Sequence, residues 1–198
     1  MEARLFDPEN PPEWLDPEWW VDQPHVNHLS NWVHESRLNS AAQAAVKCAD
    51  LVGTHVICDV GSCDGGLLDL LPEPYRSSSF GYDVIDSSIE YANDVRGVNV
   101  TWANVVESKR TPLAEVIVCT EMLEHLKDPH QFLKDLKSRG VVYGVFSSPK
   151  NETADHHEWN HAWAWDMDGY LKMFVDAGWH VIAHTEVDWS QQIIAKNV

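Results

Sequence analysis

Val56-Ile-Cys-Asp-Val-Gly-Ser-Cys-Asp-Gly-Gly66 is the stretch on which the fold turns. A short apolar run ends in an acid, Asp59, and passes at once into a turn punctuated by Gly61 and Gly65. Glycine lets a backbone turn tightly and approach a ligand closely. A helix opening at Gly65-Gly66 presents unpaired N–H groups in its first turn. In a dinucleotide-binding fold such groups hold pyrophosphate. Here Asp59 stands at the strand end and Asp64 in the turn. These acids would repel a phosphate but attract a cationic amino-acid moiety, so acid and loop amides together suit a zwitterionic ligand.

Outward from this turn the rhythm of strand, turn and helix repeats. Strands are expected over 54–60, 79–84, 98–102, 115–120 and 141–147, and a closing antiparallel hairpin over 179–185 and 191–195. Helices are expected over 65–71, 86–94, 129–138 and 166–177. The unbroken apolar character of 115–120 marks a central parallel strand. Upstream, 27–50 reads as a helix, with Leu29, Trp32, Val33, Leu38, Ala41, Ala45 and Ala49 near a 3.6-residue period. Alternation of this kind predicts an α/β domain over 27–198 with a mostly parallel sheet. Residues 1–26 stand apart as an arm. The first 24 residues hold five prolines, seven acids and three tryptophans, Trp14, Trp19 and Trp20. Proline at this density excludes a long helix, so the expectation is an irregular arm that packs its tryptophans onto the body.

Composition narrows the function. At 198 residues the chain suits one domain. A formal net charge of −17 excludes an extended nucleic-acid surface and an anionic membrane surface. It leaves room for a nucleic-acid end held locally with the help of a metal. The four cysteines, Cys48, Cys58, Cys63 and Cys119, form no C-x-x-C pair and read as reduced thiols. There is no signal-like apolar core near the start, and no apolar run long enough to span a bilayer. A cytoplasmic protein is expected, with its oligomeric state left open. Some of the ten tryptophans are expected to line a groove or clamp a neighbouring segment.

A second acid follows in register: Gly81-Tyr-Asp83 ends the next strand, where a carboxylate can accept both hydroxyls of a ribose. The run 58–66, this strand end, and Cys119-Thr-Glu-Met-Leu-Glu-His-Leu-Lys-Asp-Pro129 together resemble class I S-adenosylmethionine methyltransferases. The resemblance extends from about Val52 to the C-terminus. It implies a Rossmann-like, seven-stranded, mostly parallel sheet with helices on both faces and an antiparallel last strand. It implies that Asp59, Gly61 and Gly65 contact the methionine part of S-adenosylmethionine, Asp83 the ribose, and that Asn104 and Val105 lie near the adenine. Ser62, Val84 and Thr120 complete the implied cofactor-binding set. The family usually has glycine where Cys63 stands, which implies weaker or reshaped binding.

Glu121-x-x-Glu124-His125 follows the fourth strand of the expected sheet, and His161 lies downstream in His156-His-Glu-Trp-Asn-His161. Two carboxylates and two imidazoles suit a divalent ion such as Mg2+ or Mn2+. Glu121 and Glu124 share a face if the segment makes one helical turn. The pattern is similar to that of Hen-type small-RNA 3′-end 2′-O-methyltransferases, and ubiquinone-pathway O-methyltransferases have a similar arrangement. Carried over, it implies Glu121, Glu124, His125 and His161 as metal ligands. The expected activity is methyl transfer to a hydroxyl of a small molecule or an RNA 3′ end, with Glu124, His125 and His161 as the catalytic set. Two alternatives stand beside it. One is an inactive fold that binds S-adenosylmethionine or a partner. The other is hydrolysis at His157-Glu-Trp-Asn-His161, a literal H-E-x-x-H that requires a helix to bring its histidines together.

Overall fold

The computed structural model of the chain describes residues 1–21, 23 and 26–198. In order the elements are β1 (Glu2–Arg4), α1 (Pro17–Trp20), α2 (Trp32–Val52), β2 (Ile57–Val60), α3 (Gly66–Asp69), α4 (Tyr75–Ser78), β3 (Phe80–Asp83), α5 (Asp86–Tyr91), β4 (Val100–Trp102) and β5 (Val116–Thr120). There follow α6 (Pro129–Ser138), β6 (Tyr143–Pro149), β7 (Trp163–Trp165), α7 (Met167–Asp176), β8 (Trp179–Val187) and β9 (Ser190–Asn197). The main sheet has seven strands in the order β4-β3-β2-β5-β6-β9-β8. β2, β3, β4, β5 and β6 run parallel, and β9 enters antiparallel between β6 and β8. This is the expected Rossmann-like sheet with its reversed last strand.

Strand alternation divides the core between the two faces of the sheet. Cys58, Val60, Ile117, Cys119 and Phe146 pack on one side against Phe132, Leu133 and Leu136 of α6 and Tyr170 and Phe174 of α7. Ile57, Val116, Val118 and Val145 face the other side, where Leu38, Ala41, Ala45 and Ala49 of α2 meet Leu67 and Leu68 of α3. Small residues on α2 let a long helix lie close to the sheet. Asn31 caps it, accepting from Val33 N at 3.1 Å, and Gly53 ends it at φ 80°. The helix therefore begins later than its periodicity predicted. Trp32, expected in the buried stripe, is its first residue and is 65% exposed.

The strand order reverses between β2 and β5, where the chain goes to β3 and β4 on one side and to β6 on the other. Ligands of open α/β sheets bind at the carboxyl ends of the strands at such a point. Asp59 and Thr120 stand there.

The arm is more ordered than its prolines suggested. β1 pairs antiparallel with β7, Glu2 facing Trp165 and Arg4 facing Trp163. Leu5 N then donates to Ala162 O at 2.9 Å. The indole of Trp165 donates to Glu2 Oε2 at 3.1 Å, and the terminal ammonium pairs with Asp166. The expectation of a wholly irregular arm is corrected on this point: a three-residue strand is held by a partner too remote in sequence for local patterning to reveal. Trp14, Trp19 and Trp20 are half-buried, as expected. No disulfide links the four cysteines. Among the described residues no helix is long and apolar enough to cross a membrane.

Candidate active site

A cavity of about 950 Å³ opens at the switch point. Asp59, Gly61, Ser62, Asp83, Val84, Asn104, Val105 and Thr120 of the expected cofactor set all line it. Gly65 stands behind the wall at φ +71°, where a Cβ would lie 2.6 Å from Val98 Cγ2. Gly61, at φ +75°, runs beside Met122. The backbone of the turn thus passes where no side chain fits. Cys63 adopts φ 49°. That left-handed conformation is the physical reason glycine is favoured at this position.

The acids divide their work in a way sequence did not separate. Asp83 organises the loop: Oδ2 accepts from Cys63 N at 2.7 Å, and Oδ1 from Val84 N at 2.7 Å and Ile85 N at 3.0 Å. Asp64, expected to draw a cationic ligand, is committed to the fold. It pairs with Arg96 at 2.8 Å and accepts from His28 N at 2.8 Å. Burial pushes its carboxyl up, but hydrogen bonds from His28 and Arg96 outweigh this and hold it well below the usual carboxylate range. Asp59 is the acid left for a ligand. It is 2% exposed, and its Oδ1 has no hydrogen-bond partner among the described residues. Burial pushes its carboxyl up to about 7; the nearby Ser62 side chain opposes the shift and the Asp83 charge reinforces it.

Arg37 of α2 is the site residue that sequence reasoning missed. It is 7% exposed, lines the cavity, and burial lowers its guanidinium to about 10. Its Nη1 lies 3.5 Å from Glu121 Oε1, within ion-pair range but without hydrogen-bond geometry. A buried arginine with an unsatisfied donor beside a buried aspartate with an unsatisfied acceptor fits a zwitterion at both ends. The available signal was an arginine on the inner face of an otherwise alanine-rich helix.

At the other end of the cavity, Leu123–His125 form a single 3-10 turn after β5. Glu124, His125 and His161 bring one ligand atom each within 4.8 Å of one another. Glu121 lies outside this cluster. Its φ of 50° and the Arg37 charge turn its carboxylate toward Ser147 Oγ, at 2.9 Å, and Arg37. The one-face arrangement of Glu121 and Glu124 is therefore absent, because Glu121 precedes the turn in a left-handed conformation. Glu124 is fully buried, and both its carboxylate oxygens lack hydrogen-bond partners among the described residues. Burial pushes this carboxyl up to about 8, and the Glu152 charge acts in the same direction. Both histidines are oriented through Nδ1, His125 by Asn160 O at 3.0 Å and His161 by Glu152 Oε2 at 2.7 Å. For His161 that leaves Nε2 for a ligand. Orphaned carboxylate oxygens beside two oriented imidazoles fit a divalent ion.

The arm closes over this end. Trp20 meets His125 edge-on at 5.0 Å, and Trp19 meets Trp159 at 5.9 Å. Phe6, Leu15 and Trp20 line the cavity together with His125, while Glu124 and His161 are buried and are not part of its lining. Ala162 N donates to Glu124 O at 2.6 Å, so β1, the loop bearing His161 and the Glu124 turn are laced in series. The H-E-x-x-H reading is not supported: the segment is a loop, and exposed His157 turns its Nδ1 toward Thr153 O at 3.1 Å.

The family described as "Methyltransferase domain" matches residues 50–185. No curated protein sequence matches the chain. Among solved structures, the N-methyltransferase NodS from Bradyrhizobium japonicum WM9, in complex with S-adenosyl-L-homocysteine, is similar at 16% identity and a TM-score of 0.68, covering 91% of this chain and 96% of that one. The methyltransferase domain of bacterial CtHen1 is similar at 19% identity and a TM-score of 0.63, covering 83% and 99%. An S-adenosylmethionine-dependent methyltransferase from Aquifex aeolicus is similar at 22% identity and a TM-score of 0.55, covering 72% and 82%. At these identities the likeness establishes the fold.

Proposed function

This chain belongs to the methyltransferase family, and we propose that it uses S-adenosylmethionine to methylate an acceptor hydroxyl beside a divalent ion held by Glu124, His125 and His161. The observation that carries the reading is the buried Glu124 carboxylate, with both oxygens unsatisfied, next to two imidazoles oriented through Nδ1. Bound S-adenosylmethionine supplies an electrophilic methyl group. Asp59 would take its ammonium and Arg37 its carboxylate. Asp83 and Val84 would stand at the ribose, and Asn104 and Val105 at the adenine. Thr120 and Gly61 would flank the sulfonium.

His125 is the member of the ion-binding cluster that faces the cavity. An ion such as Mg2+ or Mn2+ would lower the acceptor hydroxyl's pKa and orient it. In its absence His125 is the base placed to receive the hydroxyl proton, with His161 behind it. Trp20 and the arm exclude water from this end, as transfer to a weak oxygen nucleophile requires. The apolar wall of Phe6, Leu15 and Trp20, in a chain of net charge −17, favours a small hydroxylated molecule over a polynucleotide. Cysteines without disulfides suit a cytoplasmic setting.

The test is transfer of labelled methyl from S-adenosylmethionine to a panel of catechols, small hydroxy acids and RNA 3′ ends, with Mn2+, with Mg2+ and with chelator. Transfer to an oxygen that chelator abolishes and Mn2+ restores supports the reading. Transfer unaffected by chelator, or directed to nitrogen, overturns it.

A further inference from the structure

We propose that Glu152 is a positioning residue of this centre, fixing the Nδ1–H tautomer of His161 so that Nε2 is presented as a ligand. The proposal rests on the metal reading above and deepens it. Glu152 lies in the loop between β6 and β7, outside every motif that the sequence offered. Its two oxygens are used separately. Oε2 meets His161 Nδ1 at 2.7 Å, and Oε1 accepts from Glu158 N at 3.1 Å. The second bond ties Glu152 to the turn leading into His161, whose own N donates to Glu158 O at 3.2 Å. One side chain thus sets both the course of the loop and the orientation of the ring.

The pair is sheltered, with side chains 7% exposed for His161 and 12% for Glu152. In that setting a carboxylate at Nδ1 is a strong acceptor and holds the proton on that nitrogen. The opposite nitrogen then keeps its lone pair. His125 reaches the same state by another route, through the backbone carbonyl of Asn160. The orientation of His161 therefore depends on a replaceable side chain. Outer carboxylates of this kind typically contribute 10–100-fold to metal affinity.

The experiment uses the full chain and Mn2+ as the probe. Calorimetry should show Mn2+ binding about 10–100-fold weaker in Glu152→Ala than in wild type. Glu152→Gln, which keeps an acceptor at Nδ1 but not the charge, should recover most of that loss. S-adenosylhomocysteine binding should not change in either variant. Nitrogen-15 NMR of the metal-free protein supplies a readout independent of ion and turnover. His161 should be a single Nδ1–H tautomer in wild type and in Glu152→Gln, and a tautomer mixture in Glu152→Ala. If Glu152→Ala fails to fold, wild type with a mixed His161 tautomer overturns the proposal, and so does a Glu152→Gln variant that keeps the single Nδ1–H tautomer yet binds Mn2+ more than about tenfold more weakly than wild type. Wild type that takes up no Mn2+ overturns the metal reading itself. Wild type that binds Mn2+ no better than a folded Glu152→Ala overturns only the role of Glu152.

Discussion

Trp20 packs the edge of its ring against the imidazole of His125, with centroids 5.0 Å apart, and so joins the N-terminal arm to the cluster proposed to bind the ion. Such an aromatic contact contributes about 0.5–1.5 kcal/mol beyond its area. Trp20→Ala should lower the melting temperature modestly and raise the acceptor KM severalfold, leaving S-adenosylhomocysteine affinity unchanged. Removing residues 1–21 should do more, since β1 is also lost from its pairing with β7. Thermal melting and methyl-transfer kinetics check this; a truncated chain that melts and turns over like the whole one contradicts it.

Arg37 makes a second prediction. Its buried Nη1 has no hydrogen-bond partner among the described residues, and the carboxylate of the methionine moiety is the group proposed to satisfy it. A hydrogen bond between charged groups contributes about 1.5–3 kcal/mol. Arg37→Ala should therefore weaken S-adenosylhomocysteine binding roughly 10–100-fold by calorimetry, and adenosine, which lacks the carboxylate, should be insensitive to the change. Equal losses for both ligands would show a damaged pocket and no specific contact.

The buried carboxyl of Asp59 gives a pH dependence with a definite sign. Burial raises it from 3.8 to about 7, so the folded, ligand-free chain keeps a proton there that the unfolded chain releases. The contribution of this group to stability is full below pH 3.8 and is lost as pH rises toward 7. Ligand binding moves the other way, because an ammonium ion wants the charged carboxylate. Affinity for S-adenosylhomocysteine should rise about tenfold per pH unit below that value and level off above it. Calorimetry across this window checks the slope, and Asp59→Asn should flatten it.

Local pattern was enough for the strands, because the apolar residues that make each one are neighbours in sequence. Ile57, Val116, Val118 and Val145 announce buried strands, and Gly53 and Gly178 mark helix ends that the structure shows at φ 80°. Asp59, Gly61 and Asp83 were legible because a strand end followed by a glycine turn constrains where they stand. Glu152 was not legible, because only the course of its loop brings it to His161, and Arg37 was not, because it acts on residues far away in sequence. The β1–β7 pairing was hidden for the same reason. Glu121 illustrates a different limit: spacing placed it on one face with Glu124, but its left-handed backbone and the Arg37 charge turn it away. The acid in the turn, Asp64, could not be told from a ligand-binding acid until Arg96 was seen beside it.

The central claim concerns the place where Glu124, His125 and His161 converge. It is tested most directly by anomalous diffraction from crystals of the protein with Mn2+ and S-adenosylhomocysteine. The account predicts a manganese peak bound to a Glu124 oxygen and to Nε2 of both His125 and His161, and no such peak in Glu124→Ala crystals that still hold S-adenosylhomocysteine. Wild-type crystals showing S-adenosylhomocysteine in the cavity but no manganese among these three residues, with Glu124 protonated and bonded to water, would contradict it.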